Sequence, residues 1–178
     1  MLNIPNILAL IRLLLAPLMF FLLVNRDNSL FINIHYSWLD FMAAFIFVLA
    51  SATDFFDGYI ARTFDQITTL GAILDPLADK MLTLAGFLGL MMLGRASEWA
   101  IFLIVSRELF ITGLRVSAVA QGLDISASWM GKVKTVVQMI AIGFLLMNWQ
   151  GATLILWIAV GLTLYSGYEY VRDFFKHS

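Results

Sequence analysis

Apolar residues run along this chain in long blocks, and the polar residues gather in short clusters between them. A helix that crosses a bilayer needs about 20 mainly apolar residues, at about 1.5 Å of rise each. Six stretches have that length, though some carry charges. The first runs from Ile7 to Val24 behind a Pro5-Asn6 start, and Asn25-Arg26-Asp27-Asn28-Ser29 ends it. The second starts near Trp38, an aromatic residue of the interfacial kind, and continues past Phe56 toward Arg62. The third covers Gly71 to Leu93 and leaves through Gly94-Arg95-Ala96-Ser97. The fourth extends from Trp99 to Ala120, where Gln121-Gly122-Leu123-Asp124 breaks it. The fifth covers Gly131 to Met147, with Asn148-Trp149-Gln150-Gly151 as a turn, and the sixth runs from Thr153 to Tyr170 ahead of a polar end. The pattern predicts an all-α integral membrane protein with six transmembrane helices, forming a single domain over residues 1–178.

Charge placement adds an orientation. If the spans alternate, one side collects Arg62, Arg115, Lys132, Lys134, Arg172 and Lys176, and the other has only Arg26 and Arg95. Short loops rich in Lys and Arg stay on the cytoplasmic side, so both termini are expected there. Met1 to Asn6 lacks a basic segment ahead of the apolar run, so a cleaved signal is not expected. Composition agrees with a membrane protein: 61% of the 178 residues are hydrophobic and 13% charged, with mean hydropathy +0.89. Soluble domains have about 45–50% apolar and 25% charged residues. The net charge of -1 argues against a nucleic-acid partner. Without cysteine there is no disulfide, thiolate metal site or thiol nucleophile.

The departure from this apolar pattern is the stretch Asp54 to Asp79, DFFDGYIARTFDQITTLGAILDPLAD. Four aspartates lie in or beside apolar sequence, where an uncompensated carboxylate is most costly. On a helix, Asp54, Asp57, Gly58 and Ala61 share a face, and Asp75 and Asp79, four apart, share another. A short turn makes the two helices antiparallel neighbours, so the pairs are expected to face each other. Such an oxygen-rich set suits hard divalent cations such as Mg²⁺ or Mn²⁺ rather than zinc. Paired metals about 4 Å apart are usual in phosphoryl chemistry. Gly58 and Ala61 leave room for a ligand beside the carboxylates, and Arg62 follows with a cation suited to a phosphate. Metals, a gap and an arginine together suggest a nucleotide-diphosphate site.

Asp54, Asp57, Gly58, Ala61, Arg62, then eight residues, then Gly71, Asp75 and Asp79 resemble the signature of the CDP-alcohol phosphatidyltransferases, D-x2-D-G-x2-A-R-x8-G-x3-D-x3-D, at every fixed position and spacing. The resemblance implies six transmembrane helices around a site for two divalent cations, Mg²⁺ or Mn²⁺, open to the cytoplasm. There an alcohol attacks a CDP-linked donor and CMP leaves. Further stretches resemble the bacterial phosphatidylglycerophosphate synthase branch of that family: Asn3 to Leu8 with Arg12, Ser106-Arg107-Glu108-Leu109 with Gly113-Leu114-Arg115, and Gly131-Lys132 with Lys134, Thr135 and Gln138. They imply CDP-diacylglycerol as donor, glycerol 3-phosphate as acceptor, a multi-pass protein of the bacterial cytoplasmic membrane in contact with membrane lipids, and a homodimer.

Carried over by position, Asp54, Asp57, Asp75 and Asp79 would hold the metals, and Asp79 would also be the general base for the 1-hydroxyl of the acceptor. Asn6, Gly58, Arg62 and Thr68 match positions that contact the CDP part of the donor, with Ala61 beside them. Ala9 departs from the family, many of whose members carry threonine there, which puts one hydroxyl contact in doubt. The acceptor's phosphate needs its own cations, and Arg107, Arg115, Lys132 and Lys134 are the available ones.

Blander assignments compete with several of these. The aspartates alone are also compatible with a helix-end charge cluster or a transporter's cation site, and the acceptor with inositol phosphate, serine or phosphatidylglycerol. Arg62, Lys132 and Lys134 also fit positive-inside anchors, and Arg107 a structural partner of Glu108. Arg12 is left out of the site because a snorkelling arginine would explain it. Gly86, Gly89, Gly143 and Gly161 are expected to serve close helix packing.

Overall fold

A computed structural model of the chain describes residues 4–63, 69–121 and 129–177, and the side chains of these except 4, 5, 54–63, 69, 70, 72, 73 and 177. It is helical in six long elements: α1 (Ile4–Val24), α2 (Tyr36–Thr63), α3 (Thr69–Met92), α4 (Glu98–Ala120), α5 (Trp129–Leu146) and α6 (Ala152–His177). A single 3-10 turn, Ser29–Phe31, lies between α1 and α2, capped by the Asn28 side chain, which accepts from the Leu30 N–H. Five helices run close to their expected lengths. The sixth differs, because α6 continues about two turns beyond Tyr170 through Arg172-Asp173 to His177. Tyr170 at its start and Phe174 on it are both buried, so an apolar face carries the helix into the polar end.

Among the described residues four helices qualify as membrane spans by length and apolarity: Asn6–Val24, Tyr36–Thr53, Trp129–Leu146 and Ala152–Lys176. The other two, α3 and α4, are as long, but charged side chains interrupt them: Asp75, Asp79 and Lys80 on α3, and Glu98, Arg107, Glu108 and Arg115 on α4. Those are the two helices that the predicted chemistry needs most. The helix α2 continues through Asp54 and Asp57 to Thr63.

Hydrophobic residues face outward in numbers that only a lipid environment explains. Leu14, Phe45, Val48, Phe102 and Leu154 are all more than half exposed. Trp38, Trp99 and Trp129 sit exposed in the first turns of α2, α4 and α5, and Trp149 beside the α5–α6 turn, as interfacial aromatics do. Left-handed backbone at Gly94 (φ +67) turns the chain out of α3, and Asn148 (φ 52) with Gly151 (φ 85) does so between α5 and α6.

The helices form two compact units, Met1–Gly94 and Arg95–Ser178. In the first, α1 packs along both α2 and α3, which meet each other over a shorter length. The buried seam of α1 reads Asn6, Ala9, Arg12, Ala16, Met19, Leu23, at spacings of three or four. The buried hydrophobic residues of its two neighbours include Leu39, Ala43, Phe47 and Ala50 of α2 and Ala78, Leu82, Phe87 and Leu90 of α3. Gly89 lets α3 close on α1, since a Cβ there would stand 2.6 Å from Leu23 Cδ1 and 3.0 Å from its Cβ. Gly143 and Gly161 do not act this way, because a Cβ on either would meet nothing within 4 Å. In the second unit α6 is central and packs on both α4 and α5. The Arg95 guanidinium closes α5 by donating from Nη1 to the Leu146 carbonyl at 2.9 Å.

Gly89→Leu is expected to lower stability by about 1–3 kcal/mol, the usual cost of overpacking a closed contact. Thermal unfolding of the detergent-solubilised chain measures it, and an unchanged midpoint would show that α1 and α3 do not close at this position.

Candidate functional site

In the first unit, α3 carries Asp75 and Asp79 one helical turn apart, so both leave the same face. Pro76 follows Asp75 inside the helix and removes one amide donor from the ladder at this point. Asp75 is 40% exposed, and the buried guanidinium of Arg12 approaches it from α1, with Nη2 3.7 Å from Oδ1. That separation is an ion pair rather than a hydrogen bond. Thr83 Oγ1 donates to the Asp79 carbonyl at 3.0 Å and secures the next turn. Asn6 is buried two turns before Arg12 on the same seam, and Ala9 between them is fully buried.

Arg12 therefore does not snorkel away from the aspartates. It is fully buried against one of them. The sequence held a signal for this: a cation one or two turns inside an apolar helix needs an anionic partner or a wet cavity.

Asp54, Asp57, Gly58, Ala61 and Arg62 lie on the last turns of α2, whose backbone is helical there, but their side chains lie outside the described residues, as does all of Thr68. Among the described residues no group of three His, Asp or Glu side chains could hold a metal. The predicted set of four draws two members from those undescribed side chains. The donor chemistry that is described fits a hard cation: two carboxylates on one helical face, Asp75 partly open.

In the second unit a polar network joins three helices. Glu108 of α4 accepts from Arg107 Nη1 at 3.2 Å and from Lys134 Nζ of α5. Arg107 Nη2 reaches α6, where Ser166 Oγ accepts at 2.9 Å and itself donates to the Thr163 carbonyl. Thr163 Oγ1 in turn accepts from Gln138 Nε2 at 2.7 Å, one turn along α5 from Lys134. Arg107 can lie flat on α6 because Gly167 has no side chain, and a Cβ there would sit 3.1 Å from Arg107 Cγ.

Of the four predicted acceptor cations, the structure brings Arg107 and Lys134 together through Glu108, which sequence reasoning treated only as a competing partner. Both are largely buried, with side chains 11% and 8% exposed. Arg115, two turns further along α4, is exposed and stands over the Tyr170 ring at 5.9 Å. Lys132 is exposed as well, about 200° round α5 from Lys134, and no contact among the described residues joins it to the other three. Two cations on one carboxylate leave this triad with an excess positive charge, suited to a phosphate. Ser166 and Gly167, on a helix without charges over its apolar span before Glu169, gave no sequence signal beyond their small size.

Comparison with known proteins agrees with this chemistry. The family model for CDP-alcohol phosphatidyltransferase matches residues 2–165. A Bacillus subtilis CDP-diacylglycerol–glycerol-3-phosphate 3-phosphatidyltransferase is 38% identical, covering 96% of this chain and 94% of its own length. An Escherichia coli protein of the same name is 35% identical over 95% of this chain and 93% of its own. A Mycobacterium tuberculosis probable phosphatidylglycerophosphate synthase is 38% identical over 95% of this chain and 80% of its own length. Matched from near its first residue into its sixth helix, with the aspartate spacing intact, the chain belongs to the CDP-alcohol phosphatidyltransferase family.

Proposed function

We propose that this chain transfers the phosphatidyl group of CDP-diacylglycerol to sn-glycerol 3-phosphate, releasing phosphatidylglycerophosphate and CMP. The observation that carries this is the near full-length similarity to relatives named for that reaction, joined to an unbroken aspartate signature. The protein is a multi-pass membrane protein. Its place in a bacterial cytoplasmic membrane, with both termini and the site facing the cytoplasm, follows from the Lys and Arg distribution and belongs to the proposal. So do a single domain over residues 1–178 and a homodimer.

Within this proposal Asp54, Asp57, Asp75 and Asp79 hold two divalent cations, Mg²⁺ or Mn²⁺. Bound there, such cations neutralise the diphosphate and stabilise CMP as the leaving group. Asn6, Gly58, Ala61, Arg62 and Thr68 seat the CDP moiety, and the acyl chains stay in the bilayer. Asp79 takes the proton from the acceptor's 1-hydroxyl as that oxygen attacks the phosphatidyl phosphorus. The new P–O bond forms as the bond to CMP breaks. Arg12 holds Asp75 from the buried side, which fixes one carboxylate before any substrate arrives. Arg107, Arg115, Lys132 and Lys134 receive the acceptor's phosphate, with Glu108 keeping Arg107 and Lys134 in place.

The test is a labelled-acceptor assay on the purified chain with CDP-diacylglycerol and Mg²⁺ or Mn²⁺. Product from glycerol 3-phosphate is expected. Product from serine, inositol phosphate or phosphatidylglycerol, with none from glycerol 3-phosphate, would overturn the acceptor. Asp79→Asn is expected to lower turnover by about 100- to 10,000-fold, the usual contribution of a general base, while CDP-lipid still binds. Full activity in that variant would remove Asp79 from the reaction. Lys134→Met leaves Arg107 to compensate Glu108 and is expected to raise KM for glycerol 3-phosphate by about tenfold or more. An unchanged KM would place the phosphate elsewhere.

A further inference from the structure

Tyr170 belongs to neither the sequence signature nor the cations discussed above, yet its surroundings are unusual. It is 5% exposed, at the point where α6 continues beyond its expected end. Its hydroxyl is buried and has no hydrogen-bond partner among the described residues. A buried phenol normally finds such a partner, because leaving the group unpaired is costly. Nε of Arg107 is in the same condition: buried, with no partner among the described residues, although the two Nη atoms are engaged.

The two unsatisfied donors lie on one side of α6. Arg107 rests between Ser166 and Gly167, and Tyr170 follows at positions i+4 and i+3, within a quarter turn of where the guanidinium lies. Arg115 extends this row along α4, its guanidinium 5.9 Å from the centroid of the Tyr170 ring, within cation–π range. Glu169 also has a buried oxygen without a partner among the described residues. It lies about 100° round the helix from Tyr170 but three residues after Ser166, so a carboxylate flanks this side of α6 as well. Around the α4–α6 seam the cations Arg107, Arg115 and Lys134 outnumber the carboxylates Glu108 and Glu169, and with the Tyr170 hydroxyl and Arg107 Nε as open donors the complementary ligand is an anion with several acceptor oxygens.

We propose that Tyr170 is a binding and specificity residue for the acceptor: its hydroxyl donates to the acceptor's phosphate, and its ring seats Arg115 against the same group. This rests on the acceptor reading above and adds α6 as a third wall beside α4 and α5.

The experiment measures kcat and KM for glycerol 3-phosphate, and competitive inhibition by inorganic phosphate, on the full-length enzyme. The variants are Tyr170→Phe, Tyr170→Leu, Arg115→Ala and Lys134→Met. Tyr170→Phe removes only the hydroxyl and keeps the ring under Arg115. It is expected to raise KM by about tenfold, to weaken inhibition by inorganic phosphate to a similar degree, and to change kcat by less than about twofold. Tyr170→Leu also removes the ring and is expected to raise KM further. A purely structural tyrosine would lower thermal stability without this split between KM and kcat. KM within about twofold of wild type in Tyr170→Phe, while Arg115→Ala or Lys134→Met raises it, would overturn the role of Tyr170 alone. Unchanged KM in all four variants would overturn the acceptor pocket itself. A fall in kcat with KM unmoved in Tyr170→Phe would also contradict a contact to the bound phosphate.

Discussion

A charge placed within an apolar helix is costly unless an opposite one meets it, and both units of this protein supply such partners. Insertion of a lone Arg, Lys or Asp at the centre of a membrane helix costs about 2.5–3.5 kcal/mol, against about 0–1 kcal/mol gained from a typical surface ion pair. Partner position therefore decides which helices come together. In the first unit Arg12 meets Asp75, which joins α1 to α3. In the second, Glu108 meets Arg107 and Lys134, which joins α4 to α5, and Ser166 draws Arg107 onto α6. Small residues make these meetings possible. Gly89 lets α3 approach α1, and Gly167 lets a guanidinium lie along α6.

The two units divide the chemistry. The first carries the carboxylates and the positions matched to the nucleotide, in helices that α1 packs together. The second carries Arg107 and Lys134, two of the cations proposed for a second phosphate, and Glu108 already holds both. Pre-organised cations of this kind lower the ordering cost when an anion binds. The network from Lys134 through Glu108, Arg107, Ser166 and Thr163 to Gln138 starts and ends on α5, so displacing one member strains the others.

Much of this was legible in the chain. Helix positions followed from block length alone, and the aspartate spacing named the family before any geometry was known. Three features were not. Arg12 reads as a snorkelling residue until α3 is known to pass its buried face, a pairing between elements more than sixty residues apart. Glu108 reads as a rival to the phosphate, because sequence shows a neighbour of Arg107 but not the Lys134 that meets it from α5. The extension of α6 was invisible because Arg172 and Asp173 break the apolar pattern, while Tyr170 and Phe174 continue a buried face at helical spacing. In each case the missing information was a tertiary contact. Gly143 and Gly161 show the converse, since small size alone did not place them at a helix contact.

The central claim is that the four aspartates form one divalent-cation site. Equilibrium titration of the purified chain with Mn²⁺, followed by electron paramagnetic resonance, tests it without reference to turnover. The wild type is expected to bind two Mn²⁺ per chain with a spin-coupled spectrum, and Asp54→Asn, Asp57→Asn, Asp75→Asn and Asp79→Asn each to lose the coupled signal. A wild-type chain that binds no Mn²⁺, or Asn variants that bind it unchanged, would contradict the account.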